Sequence, residues 1–185
     1  MNIRAKTMAS LILCKMINHS FATAAFILSV TALLSPQIAA ADTIYRGLLI
    51  DNQGALDLRA QRFPFNPTLS FNKDLQQIFN APSNFRCALR METAQPIPNV
   101  GNSSLLRGFA VFQATFDENP PAVPVGHVSV TPAPNIVMQD PSAEFANGLR
   151  ADALQNPQAF NDLHIVGVPG RESTDDCQDR PKSFN

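Results

Sequence analysis

The chain has 185 residues, 14 basic against 15 acidic, a formal net charge of −1, and 45% hydrophobic residues. Its arginines and lysines are scattered, so no dense basic face forms to neutralise phosphates, which excludes nucleic-acid binding driven by backbone charge. Phe occurs 13 times against one Tyr and no Trp, giving much apolar area without the polar handle that wet recognition surfaces favour, which argues against a sugar-binding module.

Residues 21–34 form an apolar run. It is shorter than the roughly 20 residues that a spanning helix needs and fits the core of a secretory leader. Arg4, Lys6 and Lys15 precede it, Pro36 breaks it, and Ala39, Ala40 and Ala41 supply small residues for a peptidase. This order predicts a signal peptide over residues 1–41, cleaved after Ala41. An uncleaved anchor would have to run through Ser35, Pro36 and Gln37. A lipidated Cys14 would need a small residue where bulky Leu13 stands. Met8 and Met16 are alternative starts, although Met16 would discard all three cations. Residues 42–185 are then predicted to be a single exported domain, periplasmic or secreted, with no stable membrane insertion after cleavage. Loss of the three leader cations takes its formal charge from −1 to −4.

The stretches "IYRGLLID" and "ALDLRAQRF" flank the turn signal "DNQG", and predict a β-hairpin over residues 44–63. Pro64 and Pro67 interrupt pairing after it. Asn72 is expected to cap a short helix with Leu75, Ile78 and Phe79 on its apolar stripe and Pro82 at its end. Residues 85–92 predict a strand with Phe85, Cys87, Leu89 and Met91 on the core face and Arg86, Ala88, Arg90 and Glu92 opposite. Residues 94–104 read as a loop. Residues 107–117 predict a strand whose core face carries Ala110, Phe112, Ala114 and Phe116. Phe109 and Val111 lie on its other face among Arg107, Gln113, Thr115 and Asp117, so part of that face is also expected to be covered.

Residues 125–131 predict a further strand, with Val128 and Val130 inward and His127 and Ser129 outward. Asp140 caps a helix with Pro141 at its first position, Glu144 in its first turn, and Phe145, Ala146, Leu149 and Ala153 as its buried stripe. Asn156 and Pro157 restart a short helical turn, and residues 163–168 predict a last strand. The sum is an α+β fold: a mainly antiparallel sheet of about six short strands, two helices and one disulfide.

That disulfide joins Cys87 and Cys177, the pair left once Cys14 departs with the leader. It would staple the polar tail, residues 170–185, which cannot dock by burial alone. Asp175, Asp176 and Asp179 surround Cys177 with negative charge and disfavour a reactive thiolate.

Candidate chemistry rests on few residues. His164 with Asp162 two positions earlier, together with His127, have the composition of an oriented general base. "GNSSLL" departs from a nucleophile elbow, and no zinc, calcium-loop or Gly-rich phosphate pattern is present, so no metal or cofactor is expected. The acidic run 172–179 reads as solvated charge. Asn102-Ser103-Ser104 matches a glycosylation acceptor. "DTIYRG", residues 42–47, resembles the opening strand of secreted ADP-ribosyltransferase toxins, and the resemblance implies that Arg46 helps to hold NAD. The family's Glu-x-Glu or Gln-x-Glu motif has no match: the residues two before Glu92, Glu118, Glu144 and Glu172 are Arg90, Phe116, Ser142 and Gly170.

The leading expectation is a small exported, non-catalytic binding or interaction protein, such as an accessory factor, inhibitor or effector, with another protein as partner. The alternatives are a hydrolase or transferase using Asp162, His164 and His127, an ADP-ribosyltransferase-like toxin domain using Arg46, and a structural subunit of a surface assembly.

Overall fold

The computed structural model describes residues 40–80 and 84–184. The predicted leader, apart from its last two residues, and Pro82 lie outside the described residues. Nine strands form: β1 Thr43–Leu48, β2 Leu56–Asp57, β3 Leu69–Asn72, β4 Cys87–Glu92, β5 Ser103–Leu106, β6 Phe109–Phe116, β7 His127–Pro132, β8 Ile165–Gly167 and β9 Lys182–Ser183. Seven of them make one antiparallel sheet in the order β5-β6-β7-β3-β1-β4-β8, and β2 pairs with β9 in parallel. The helices are α1 Leu75–Asn80, α2 Pro141–Gln155, α3 Pro157–His164 and α4 Thr174–Gln178. No helix among the described residues is long and apolar enough to cross a membrane.

Period two decides which side chains the sheet buries. Ile44 and Leu48 of β1, Leu69 and Phe71 of β3, Cys87, Leu89 and Met91 of β4, and Val128 and Val130 of β7 are all buried. Register places them opposite one another: Ile44 faces Met91, Leu48 faces Cys87, Leu69 faces Val130 and Phe71 faces Val128. The amphipathic α2 covers this face. Asp140 caps it by accepting from the Ala143 amide at 2.9 Å, and Phe145, Ala146, Leu149 and Ala153 are its buried stripe, as expected. The Phe145 ring is the hub, with the Phe63, Phe65, Phe71, Phe109 and Phe112 rings 5.2–6.3 Å away. The high Phe content is thus spent on one interface between helix and sheet, where ring pairs add to area burial.

Four expectations are corrected. The predicted hairpin over residues 44–63 forms only at its tip, where Ile50 bridges Leu56 and the Asp57 amide donates to the Leu49 carbonyl at 2.9 Å. At its turn, Asp51 Oδ1 accepts the Gln53 and Ala55 amides, both at 2.9 Å. Beyond it only Leu56–Asp57 is extended, and β1 pairs with β3 and β4 instead. The alternation of Leu56, Asp57 and Leu58 imitates a half-exposed strand, yet all three are buried. Asp57 is inside because it accepts from Arg59 Nε at 2.6 Å and Arg62 Nε at 2.7 Å, and those contacts wind the chain into a 3₁₀ turn at Ala60–Arg62.

The loop expected at 94–104 ends in an edge strand, β5, tied to β6 by the Ser103 and Thr115 hydroxyls at 2.7 Å. Its register shifts between Leu105 and Leu106, so β6 begins with Phe109 inward and Ala110 outward, contrary to the expected facing. Finally, Leu163 and His164 complete α3 rather than opening a strand. Asn156 caps that helix through the Ala159 amide at 3.2 Å, and Asp162 therefore sits on an exposed helical turn. Among the described residues two helices, α2 and α3, are longer than six residues, in keeping with the α+β reading, and α1 and α4 are single short turns beside them.

The polar tail docks through three devices. A capping box between Ser173 and Asp176 starts α4, Cys177 is fully buried and bonded to Cys87, and Phe184 packs against the core. The bridge closes a separation of 90 residues. Replacing both cysteines by serine is expected to lower the unfolding free energy by about 4–5 kcal/mol on the chain-entropy model. Urea unfolding checks this, and amide exchange should show residues 170–184 opening first.

A second prediction concerns Asp57. Burial alone would raise its carboxyl, but hydrogen bonds from Arg59 and Arg62 outweigh that and hold it at about 2. A carboxyl depressed on folding adds stability above its unfolded value, near 3.9, and loses it as the pH falls through the folded value. With allowance for solvent screening of the half-exposed arginines, Asp57→Asn is expected to cost about 1–2 kcal/mol at pH 7. The gap between the two proteins should close between about pH 4 and pH 2, as read by denaturation at each pH.

Candidate functional site

The sheet is weakly joined at one seam. β1 pairs with β4 over six residue pairs, and β3 with β7 over four, but β1 meets β3 only at Tyr45 and Asn72. Past that pair the strands part, and Arg46 occupies the gap. One terminal nitrogen donates to the Ser70 carbonyl of β3 at 2.7 Å and the other to the Arg62 carbonyl at 3.2 Å. The opening forms a cleft of about 440 Å³ whose lining includes Arg46, Asn72, Gln77, Asn80, Phe85 and His127. Arg46 and Phe85 also line a smaller hollow of about 210 Å³, reached past Gln61 and Arg62.

Each wall has a local cause. A Cβ on Gly47 would lie 2.3 Å from the Phe85 ring, so only glycine lets that ring lie against the β1 backbone. Asn72 is a clamp: Oδ1 accepts the Asp74 amide at 2.7 Å, starting the turn into α1, and Nδ2 donates to the Val125 carbonyl at 2.9 Å. Gly126, at φ 77°, passes so close that a Cβ would meet Asn72 Oδ1 at 2.7 Å. Its amide donates to Glu118 Oε2 at 2.6 Å. The clamp fixes where β7 starts and hence where His127 stands.

His127 is oriented in turn. Its Nδ1 lies 2.6 Å from Asp117 Oδ1, and the Ser129 hydroxyl donates to Asp117 Oδ2 at 2.5 Å. The ring is 16% exposed and the Asp117 side chain 38%. As expected, His127 and Ser129 share the face of β7 opposite Val128 and Val130.

The electrostatics of Arg46 are unusual. Burial pushes its guanidinium down to about 10, and it remains a cation at neutral pH. Buried charges are ordinarily paired, because desolvation is costly. Arg59 and Arg62 are paired with Asp57, and Lys73 with Asp42 at 3.0 Å. Arg46 has no carboxylate partner among the described residues, and its Nε is buried without a hydrogen-bond acceptor. A half-buried cation, neutral amides from Gln77 and Asn80, and the Phe85 ring together suit an anion attached to a flat apolar body.

The other predicted residues lie elsewhere. His164 ends α3, with Nδ1 2.9 Å from the Arg90 carbonyl and Nε2 3.3 Å from Asp152 Oδ2, and lines a separate groove with Glu144 and Asn147. Asp162 is exposed and accepts from Gln158 Nε2 at 2.9 Å. The fold therefore brings Arg46 and His127 into one cleft and leaves Asp162 and His164 outside it. Cys87, Cys177 and Glu172 place possible metal-ligating atoms within 4.8 Å of one another, but the two sulfurs are bonded together. Sequence reading missed Asn72 as a clamp and Asp117 as the partner of His127. Asp117 was legible as the last residue of a polar strand face, but its pairing depends on the register of β6 and β7. Comparison with protein-family models, curated proteins and solved structures gave no match.

Because Arg46 carries an uncompensated charge, its removal should cost the fold little. Arg46→Met is expected to change the unfolding free energy by less than about 1 kcal/mol, relief of desolvation offsetting the lost hydrogen bonds. Chemical denaturation checks this, and a loss above about 3 kcal/mol, the cost of a broken buried pair, would make Arg46 a structural strut.

Proposed function

We propose that this is a small exported binding protein, periplasmic or secreted, whose functional site is the Arg46 cleft. Its ligand is a small molecule that joins an anionic group to a flat apolar body. The observation that carries the reading is a half-buried guanidinium with no carboxylate partner among the described residues, set in a cleft with an aromatic wall. Export is supported by the leader pattern and by the Cys87–Cys177 bridge, which oxidising compartments form and keep.

One ligand within that class has separate support. NAD carries two phosphates between flat rings, and the likeness of "DTIYRG" to the opening strand of ADP-ribosyltransferase toxins implies that Arg46 holds it. The position of Arg46 in the cleft favours this second reading. No glutamate lines the cleft among the described residues, so NAD is proposed as a ligand rather than as a donor in a transfer.

The test is calorimetric titration of the disulfide-bonded protein with NAD, AMP, phenyl phosphate and benzoate. At least one is expected to bind, and Arg46→Met to weaken it tenfold or more while the fold persists. Equal binding by the variant, or no binding by any of the four, would remove the cleft as the functional site.

A further inference from the structure

The second polar wall of the cleft, His127, is held in a way that recognition alone does not require. We propose that the cleft hydrolyses a phosphodiester, with His127 as general base, Asp117 as the residue that orients it, and Arg46 as the cation facing the phosphate. This rests on the reading of the cleft as an anion site and adds a reaction to it.

The geometry supplies the parts. Asp117 Oδ1 lies 2.6 Å from His127 Nδ1, so in the neutral ring the proton belongs on Nδ1 and the lone pair on Nε2. Asp117 is itself fixed, since the Ser129 hydroxyl donates to Oδ2 at 2.5 Å, with Thr68 Oγ1 3.2 Å from that hydroxyl. Nε2 has no protein partner among the described residues, and the ring lines the cleft. A base, an orienting carboxylate and a fixed cation in one concavity are the elements required for water attack on an anionic centre.

The two groups open on the same cleft. Arg46 donates to the Ser70 carbonyl, and Ser70 pairs with Ser129 on β7. Arg46 fills the gap between β1 and β3, His127 stands on β7 beyond β3, and both line the one cleft. Each terminal nitrogen of Arg46 spends one N–H on a carbonyl and keeps a second. A phosphodiester fits better than a carboxylic ester, because its reacting centre is itself the anion that Arg46 lacks.

The step balances without a redox partner. The oxygen of a water molecule bonds to phosphorus as Nε2 takes a proton from it. The bond from phosphorus to one ester oxygen breaks, and that oxygen leaves with the proton returned by the imidazolium. The products are a phosphomonoester and an alcohol, and His127 ends neutral. Arg46 offsets the charge that gathers on the non-bridging oxygens.

The probe is bis(p-nitrophenyl) phosphate, an anion between two flat rings, with p-nitrophenolate release as the readout on the disulfide-bonded protein. Wild type is expected to turn it over. His127→Gln should lower kcat by about 100-fold or more, within the range of general-base catalysis, with KM changed less than about threefold. Asp117→Asn should lower kcat by about tenfold at unchanged KM, the mark of a positioning role, since it moves the proton on the ring without removing the base. Arg46→Met should chiefly raise KM, and His164→Gln should change neither constant. Should His127→Gln fail to fold, the kcat loss in Asp117→Asn carries the test. Arg46-dependent binding of the probe without turnover would overturn the hydrolytic inference and leave the anion site standing. Absence of both would overturn the two together, and unchanged kcat in both His127→Gln and Asp117→Asn would overturn the base.

Discussion

The seam between β1 and β3 is the constraint from which the cleft follows. A sheet ladder normally satisfies every backbone group along it, and a gap leaves donors and acceptors that need other partners. Here one residue pair, Tyr45 with Asn72, holds the two strands together. The Arg46 side chain then takes over a role that backbone amides would have, by donating to Ser70 of β3 and to Arg62 of the connecting segment. The sheet can therefore be continuous in topology and open in space.

Such an opening persists only if both halves are held independently. On one side, β3, β5, β6 and β7 are fastened to α2 by the rings around Phe145, which join Phe71, Phe109 and Phe112 to Phe63 and Phe65 of the segment leading into β3. On the other, β1, β4 and β8 form a second block, and the bridge from Cys87 to Cys177 locks α4 onto it. Neither block needs further β1–β3 pairing to be stable. Fixed walls mean that a ligand entering the cleft finds its polar groups already placed, so less ordering entropy opposes binding.

Much of this frame was legible in the residues, and the reasons differ by element. Residues 87–92 and 127–131 read correctly as strands because a period of two survives when one face meets a core, whereas Phe85, expected in the core, precedes β4 and lies over Gly47 instead. Helix α2 read correctly because cap, first-position proline and apolar stripe all agree. The hairpin stops at its tip because a buried, doubly paired Asp57 mimics an outward residue, and nothing local reveals that Arg59 and Arg62 fold back on it. Strand β5 was hidden because a short edge strand of serines and leucines needs only one partner, and its register comes from β6. The site was half legible. Arg46 and His127 were singled out separately, one through a resemblance and one as a histidine among valines. Their meeting depends on β3 lying between their strands, a long-range fact that no local pattern carries.

The distribution of arginines says why the cleft, rather than another surface, is the place to look for function. Arg59 and Arg62 sit on Asp57, Arg107 on Glu92, and Arg180 on Glu172. Arg90 ties the Asp162 and Leu163 carbonyls to β4 and thereby fixes the end of α3. Each of these cations has a structural task that explains its presence. Arg46, like Arg90, has carbonyl partners and no carboxylate partner among the described residues, but Arg46 alone of the two lines the cleft at the seam. A full positive charge is expensive to desolvate and is retained where something outside the folded chain completes it. On the proposed reading, the anion that completes it comes from solution and enters by the cleft at the seam.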